Sequence, residues 1–118
     1  MKKNTNPYQT RLDDFVELVR SRNLDAAILY NQANIRSLTG VDCDNAALVV
    51  EIRKGKSEIR FYTDFRYVPM VHRIAPSLKV VDLKRLKIVV SKVGYEPTVS
   101  HARFLKLQKA YPKTEFID

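Results

Sequence analysis

Apolar residues first recur at helical spacing between Arg11 and Arg22. Leu12, Phe15, Val16 and Val19 fall on one side, and Asp13, Asp14, Glu17 and Arg20 on the other. Thr10 is the expected N-cap, and the acids that follow suit the positive end of the helix dipole. Asn23 is suited to closing the helix in the left-handed conformation. Residues 1–10 read as a polar tail and 11–118 as one domain. The pattern then changes period. Ala26-Ala27-Ile28-Leu29-Tyr30 is a short apolar run of the kind that forms a buried strand. Asn34 to Leu38 suits one helical turn, ended by the positive φ available to Gly40. Ala46 to Ile52 and Glu58 to Tyr62 read as strands joined by a hairpin turn at Arg53-Lys54-Gly55-Lys56.

Thr63 or Asp64 is placed to cap a helix from Phe65 to about Ile74, in which Pro69 is tolerated only in the first turn. Leu78 to Asp82 is a further strand. Lys87-Ile88-Val89-Val90 has β-branched strand character, and Val93-Gly94-Tyr95 reads as a separate short strand. Thr98 or Ser100 caps a last helix to about Ala110, with Val99, Ala102, Leu105 and Leu107 expected inward. Glu115-Phe116-Ile117 closes the pattern as a strand. Helices alternate with strands around one hairpin, which predicts an α/β domain with a mixed sheet.

Composition narrows the class. At 118 residues, 45% hydrophobic and 29% charged, the chain is built to fold as one domain. Its single cysteine, Cys43, excludes an internal disulfide and a cysteine-built zinc site. The basic start lacks the apolar stretch of a signal peptide, and no apolar run has the length of a membrane span. A soluble cytoplasmic protein is expected. The net charge of +8 is spread along the chain, densest at Lys84-Arg85-Leu86-Lys87, and reads as a solvated basic surface.

Candidate chemistry is sparse. His72 and His101 sit in no metal-ligand spacing. Asp42 and Asp44 flank Cys43 in the loop after Gly40, a set that could engage a soft metal only with a further ligand. Cys43 has no activating base in the local sequence. Neither a glycine-rich phosphate loop nor a nucleophile elbow is present. Thr63-Asp64-Phe65-Arg66-Tyr67 falls where a strand gives way to a helix. Asp64 reads there as a cap, in a place where ligands and partners dock.

Six segments together resemble the N-terminal domain of the creatinase/prolidase/Xaa-Pro aminopeptidase family. They are Asp25 to Leu29; Asn34-Ile35-Arg36-Ser37-Leu38-Thr39-Gly40; Ala47 to Val50; Phe61 to Tyr67; Val93-Gly94-Tyr95-Glu96; and Phe116-Ile117-Asp118. Ser37 replaces the usual aromatic, Val41 stands where Phe is common, and the connection from Asp82 to Val93 is short. The resemblance implies a mixed β-sheet flanked by helices, ribonuclease H-like, in which Asn34, Gly40 and Gly94 are structural.

It also implies a parent that hydrolyses bonds next to proline, as an Xaa-Pro aminopeptidase or Xaa-Pro dipeptidase. The two divalent ions (Mn, Co or Zn) would be held in a C-terminal catalytic domain, expected to follow this chain. This domain itself would carry no catalytic residue, metal or cofactor. Its implied partners are that catalytic domain and a second subunit, with no membrane and no nucleic acid. The candidates for facing substrate or the partner subunit are Asp42, Cys43, Asp44, Asn45, Asp64, Arg66 and Tyr67. In creatinase the equivalent loop supplies an aromatic and an arginine; Val41 to Asn45 has neither, so creatine binding is not expected. The alternatives are a stand-alone protein- or nucleic-acid-binding module of the same fold, and a nuclease, which would need clustered carboxylates.

Overall fold

The computed structural model describes residues 6–87, 92–96 and 100–117. The chain runs α1 (Pro7–Ser21), β1 (Ala26–Leu29), α2 (Gln32–Thr39), β2 (Ala46–Arg53), β3 (Lys56–Thr63), a 3-10 turn (Phe65–Tyr67) and α3 (Val68–Ile74). It continues through β4 (Lys79–Asp82), a second 3-10 turn (Leu83–Arg85), β5 (Lys92–Tyr95), α4 (His101–Ala110) and β6 (Glu115–Ile117). The six strands form one mixed sheet in the order β4-β3-β2-β1-β5-β6. β2 is antiparallel to β1 and to β3, while the pairs β3–β4, β1–β5 and β5–β6 are parallel. The carboxyl ends of every strand but β2 therefore lie along one edge.

The sheet buries both faces. Leu29, Leu48 and Phe61 point to the side packed by Leu12 of α1, Ile35 of α2 and Val71 of α3. Ile28, Val49, Tyr62 and Val93 point to the other side, against Leu107 of α4. The alternation within each strand follows from the two-residue period of the pleat. Phe61, Ile28 and Leu48 are fully buried, each worth about 2 kcal/mol in removed apolar surface. The β2–β3 hairpin turns through Lys54 and Gly55, both at positive φ (52° and 79°). That is the two-residue geometry that matches strand twist. Arg20 of α1 reaches this turn and donates to the Gly55 carbonyl at 2.6 Å.

Several local expectations are corrected. α1 starts at Pro7, inside the segment read as a tail, and its N-cap is Asn6 in place of Thr10. Asn6 Oδ1 accepts from the Tyr8 and Gln9 N–H groups, and Pro7 needs no partner in the first turn. The Thr10 hydroxyl instead donates back to the Asn6 carbonyl. The earlier start also leaves the first turn without an acid. Asn23 does adopt positive φ, at 57°.

The expected helix from Phe65 is split. A 3-10 turn takes up the first three residues, which moves Pro69 into the first turn of α3, where its missing N–H costs nothing. Thr63 ends β3 and is fully buried, so the cap is Asp64. In α4 the cap is Ser100. Ala102 and Leu105 face solvent, while Phe104, Leu107 and Tyr111 turn inward at a spacing of three and four. Phe104 stacks with Tyr95 and Phe116 at ring distances of 4.9 and 6.0 Å, which fixes that face of the helix. The strand expected at 87–90 and the cap and contact expected of Thr98 and Val99 fall on residues outside the described ones, apart from Lys87, which is not in a strand.

Candidate functional site

Two strand-to-helix junctions lie on the carboxyl edge of the sheet. At the first, β1 and β5 run parallel and Glu96 follows β5. Its carboxylate is 4% exposed and accepts from the Tyr30 N–H at 2.5 Å, the Asn31 N–H at 2.8 Å and Asn34 Nδ2 at 2.8 Å. Asn31 Oδ1 in turn caps α2 through the Asn34 N–H at 3.0 Å. A buried carboxylate is tolerated only when its oxygens are bonded, and here the start of α2 bonds them. Asn34 therefore ties α2 to β5. Gly94 lies against Leu24: a β-carbon there would come within 2.7 Å of Leu24 Cδ1.

At the second junction, β3 ends at Thr63 beside the loop from Val41 to Asn45. The loop alternates. Val41 and Cys43 are buried, and Asp42 and Asp44 are exposed. Gly40 at φ 81° sets this course, and its N–H donates to the Arg36 carbonyl at 2.8 Å. The Thr39 hydroxyl donates to the Ile35 carbonyl and accepts from the Val41 N–H. Thr63 Oγ1 donates to the Asn45 carbonyl at 2.9 Å and lies 3.3 Å from Cys43 Sγ, locking loop to strand. Cys43 is thus a core residue at 3% exposure and cannot face a substrate or partner. The alternation that carries it inward sends both flanking acids outward.

The outer rim of this junction is polar with one exception. Asp64 Oδ1 accepts from the Arg66 N–H at 3.0 Å and from Arg66 Nε at 3.1 Å. Those bonds, the backbone one first, hold the Asp64 carboxyl below its usual range and push the Arg66 guanidinium up through the same contact. The guanidinium lies 5.4 Å from the centre of the Tyr67 ring, and the Tyr67 hydroxyl comes within 3.5 Å of Asp44 Oδ1. Asp42 accepts from Gln32 Nε2 at 2.5 Å and faces Arg36 at 3.9 Å. The exception is Phe65, whose ring is 75% exposed. The structure thus brings Asp44, Asp64, Arg66 and Tyr67 together, with Asp42 and Asn45 exposed on the adjoining loop. Sequence reasoning treated Phe65 as a helix residue and passed over it.

No group of three or more His, Cys, Asp or Glu side chains that could hold a metal ion occurs among the described residues. His72 and His101 are exposed and far apart in the fold order. Cys43 points inward, away from Asp42 and Asp44. Among the described residues no helix is long and apolar enough to cross a membrane.

Residues 11–118 match the family model described as the creatinase/prolidase N-terminal domain. The chain belongs to that family. Solved structures repeat the fold. Aminopeptidase P from Streptococcus thermophilus aligns with a TM-score of 0.79 and 22% identity, covering 95% of this chain and 91% of that one. The N-terminal domain of the cytoplasmic peptidase PepQ from Mycobacterium tuberculosis aligns with a TM-score of 0.73 and 24% identity over 92% and 91%. An Xaa-Pro dipeptidase from Bacillus anthracis aligns with a TM-score of 0.75 and 18% identity over 93% of this chain and 33% of that one. At these identities the likeness speaks for the fold. No curated protein matches the chain.

Proposed function

We propose that this creatinase-family domain is the non-catalytic N-terminal domain of a proline-specific metallopeptidase, an Xaa-Pro aminopeptidase or Xaa-Pro dipeptidase. It works by docking, in the cytoplasm, against a catalytic domain and a second subunit of a homodimer, where it walls the active site. The rim at the end of β3 is its docking surface. The observation that carries this reading is Phe65: a large apolar ring, 75% exposed, on a capped turn among ionic side chains. Aromatic anchors ringed by polar groups dominate interface energies, and Phe65 has that setting between Asp64 and Arg66.

The two divalent ions of such a peptidase find no ligand set among the described residues. The described carboxylates, histidines and cysteine form no ligand cluster. Any metal would be held by residues of the catalytic domain, and its chemistry belongs there. What the present residues contribute is shape and charge: Asp42 and Asp44 on the loop, and the Asp64–Arg66 pair with Phe65 on the turn.

The test is a peptidase assay in two formats. The purified 118-residue chain, supplied with Mn²⁺ and an Xaa-Pro peptide, gives no hydrolysis. The product of the natural reading frame continued past Asp118 hydrolyses the same peptide, and Phe65→Ala in that protein weakens subunit association. Turnover by the 118-residue chain would overturn the reading. So would a continued reading frame whose product leaves the peptide intact.

A further inference from the structure

On the sheet face opposite Phe61, Leu107 of α4 clusters with Ile28, Val49, Tyr62 and Val93, Val81 and Leu86 pack against that cluster, and β4 is the edge strand at its margin. A groove of about 700 Å³ opens there. Its floor is Tyr62 and Val81, and its walls carry Arg53, Arg60, Lys79, Arg85 and Lys87. Five cationic side chains from four separate chain segments converge on one concavity. The run at Lys84 to Lys87, read from sequence as a solvated basic stretch, supplies two of them.

The carboxylates in reach do not neutralise it. Glu51 pairs with Arg53 at 3.0 Å and Arg60 at 3.5 Å, and Glu58 pairs with Arg60 at 2.9 Å and Lys79 at 3.5 Å. Asp82 is engaged in capping the Lys84 N–H. Arg85 and Lys87 have no acidic partner among the described residues, and both are exposed. Arg60 Nε is buried without a hydrogen-bond acceptor. Arg85 and Lys87 therefore leave the groove with positive charge that no described carboxylate answers.

One wall is also a sheet edge. β4 ends the strand order and is paired only with β3. The backbone groups on its free side can pair with an incoming extended chain. A nucleic acid has no such groups to offer. It would also meet Glu58 and Asp82 on the rim, and it would find no exposed ring to stack on, because Tyr62 is buried.

We propose that this groove binds an extended acidic segment of a partner polypeptide. The segment adds as a strand beside β4 and sets its carboxylates against Arg85, Lys87 and Lys79. Apolar side chains alternating with those carboxylates lie on the half-buried Val81. None of Asp64, Phe65, Arg66 and Tyr67 lines the groove, so the two readings are broken by different substitutions and fail independently.

The probe is a fluorescent peptide that alternates Glu and Val, titrated with the purified chain and followed by anisotropy. Binding is expected at low salt and weakens as salt rises. The double substitution Arg85→Glu with Lys87→Glu weakens it by about tenfold or more, the scale on which reversed charge opposes association. Both side chains are exposed, so the melting temperature stays unchanged. The milder pair Arg85→Gln with Lys87→Gln gives an intermediate loss. N-methylating every peptide bond of the probe, which removes its donors on both edges, abolishes binding, and Phe65→Ala leaves it intact. Equal binding by the native and charge-reversed chains would overturn the proposal, as would undiminished binding of the N-methylated peptide. Tighter binding of single-stranded DNA than of the peptide, lost in the charge-reversed chain, would replace it with a nucleic-acid site.

Discussion

Two junctions on the same edge of the sheet use the same device, a carboxylate that accepts from backbone N–H groups at the start of a helical turn. At Glu96 the device is buried and joins residues more than sixty positions apart in the chain. At Asp64 it is local, binding the residue two positions on, and open to water. The contrast separates what holds the fold from what is left to meet something else. Glu96 has no bonding capacity facing solvent. The Asp64 turn holds Arg66 and Tyr67 in place and leaves Phe65 largely in the open.

The sharpest break between the two comes from removing each carboxylate. Glu96→Ala leaves the Tyr30 and Asn31 N–H groups and Asn34 Nδ2 without their carboxylate acceptor and is expected to cost about 3 kcal/mol, read as a lower urea midpoint. Asp64→Asn is expected to lower the melting temperature only slightly, and its effect has a pH signature. The folded-state pKa of Asp64 is depressed, so its contribution is whole above the ordinary value of 3.8 and is lost as pH falls through the lower folded value. The gap in melting temperature between the native protein and Asp64→Asn should therefore be constant at neutral pH and close in acid. A gap that persists in strong acid would place the effect elsewhere than in the ionised carboxylate.

Next in size is Gly94→Ala, where the new methyl meets the end of the Leu24 side chain. That overlap should cost about 1 kcal/mol, because a flexible terminal carbon can give way. Adding Leu24→Ala should make the glycine substitution nearly neutral in that background, measured as a double-mutant cycle in urea. Smallest of all is Phe65→Ala, expected to leave stability within about 0.5 kcal/mol, since the ring is 75% exposed in the fold.

Sequence patterning reached much of this fold because much of it is local. The hairpin at Lys54-Gly55, the left-handed Gly40, the cap at Asp64 and the strand Val93 to Tyr95 each depend on a few neighbouring residues and their backbone preferences. The alternating burial of Val41 and Cys43 also lay in the loop's two-residue rhythm, but a loop gives no reason to expect a pleat. Cys43 was accordingly grouped with the exposed acids beside it. Glu96 was visible only as the end of a strand motif, because its partners Tyr30, Asn31 and Asn34 come from a different part of the chain. The start of α1 was misplaced because Asn6-Pro7 sits before any apolar periodicity begins. Phe65 was hidden by its own hydrophobicity: apolar residues are expected inside, and only tertiary packing reveals the one that stays out.

The central claim is that the β3 rim exists to dock a catalytic partner, and it is tested most directly by titration calorimetry. The catalytic domain proposed as its partner is titrated with the native 118-residue chain and with Phe65→Ala. The account predicts binding by the native chain and about tenfold weaker binding by Phe65→Ala, the loss typical of an aromatic anchor, at an unchanged melting temperature. Equal affinity of the two chains would contradict it.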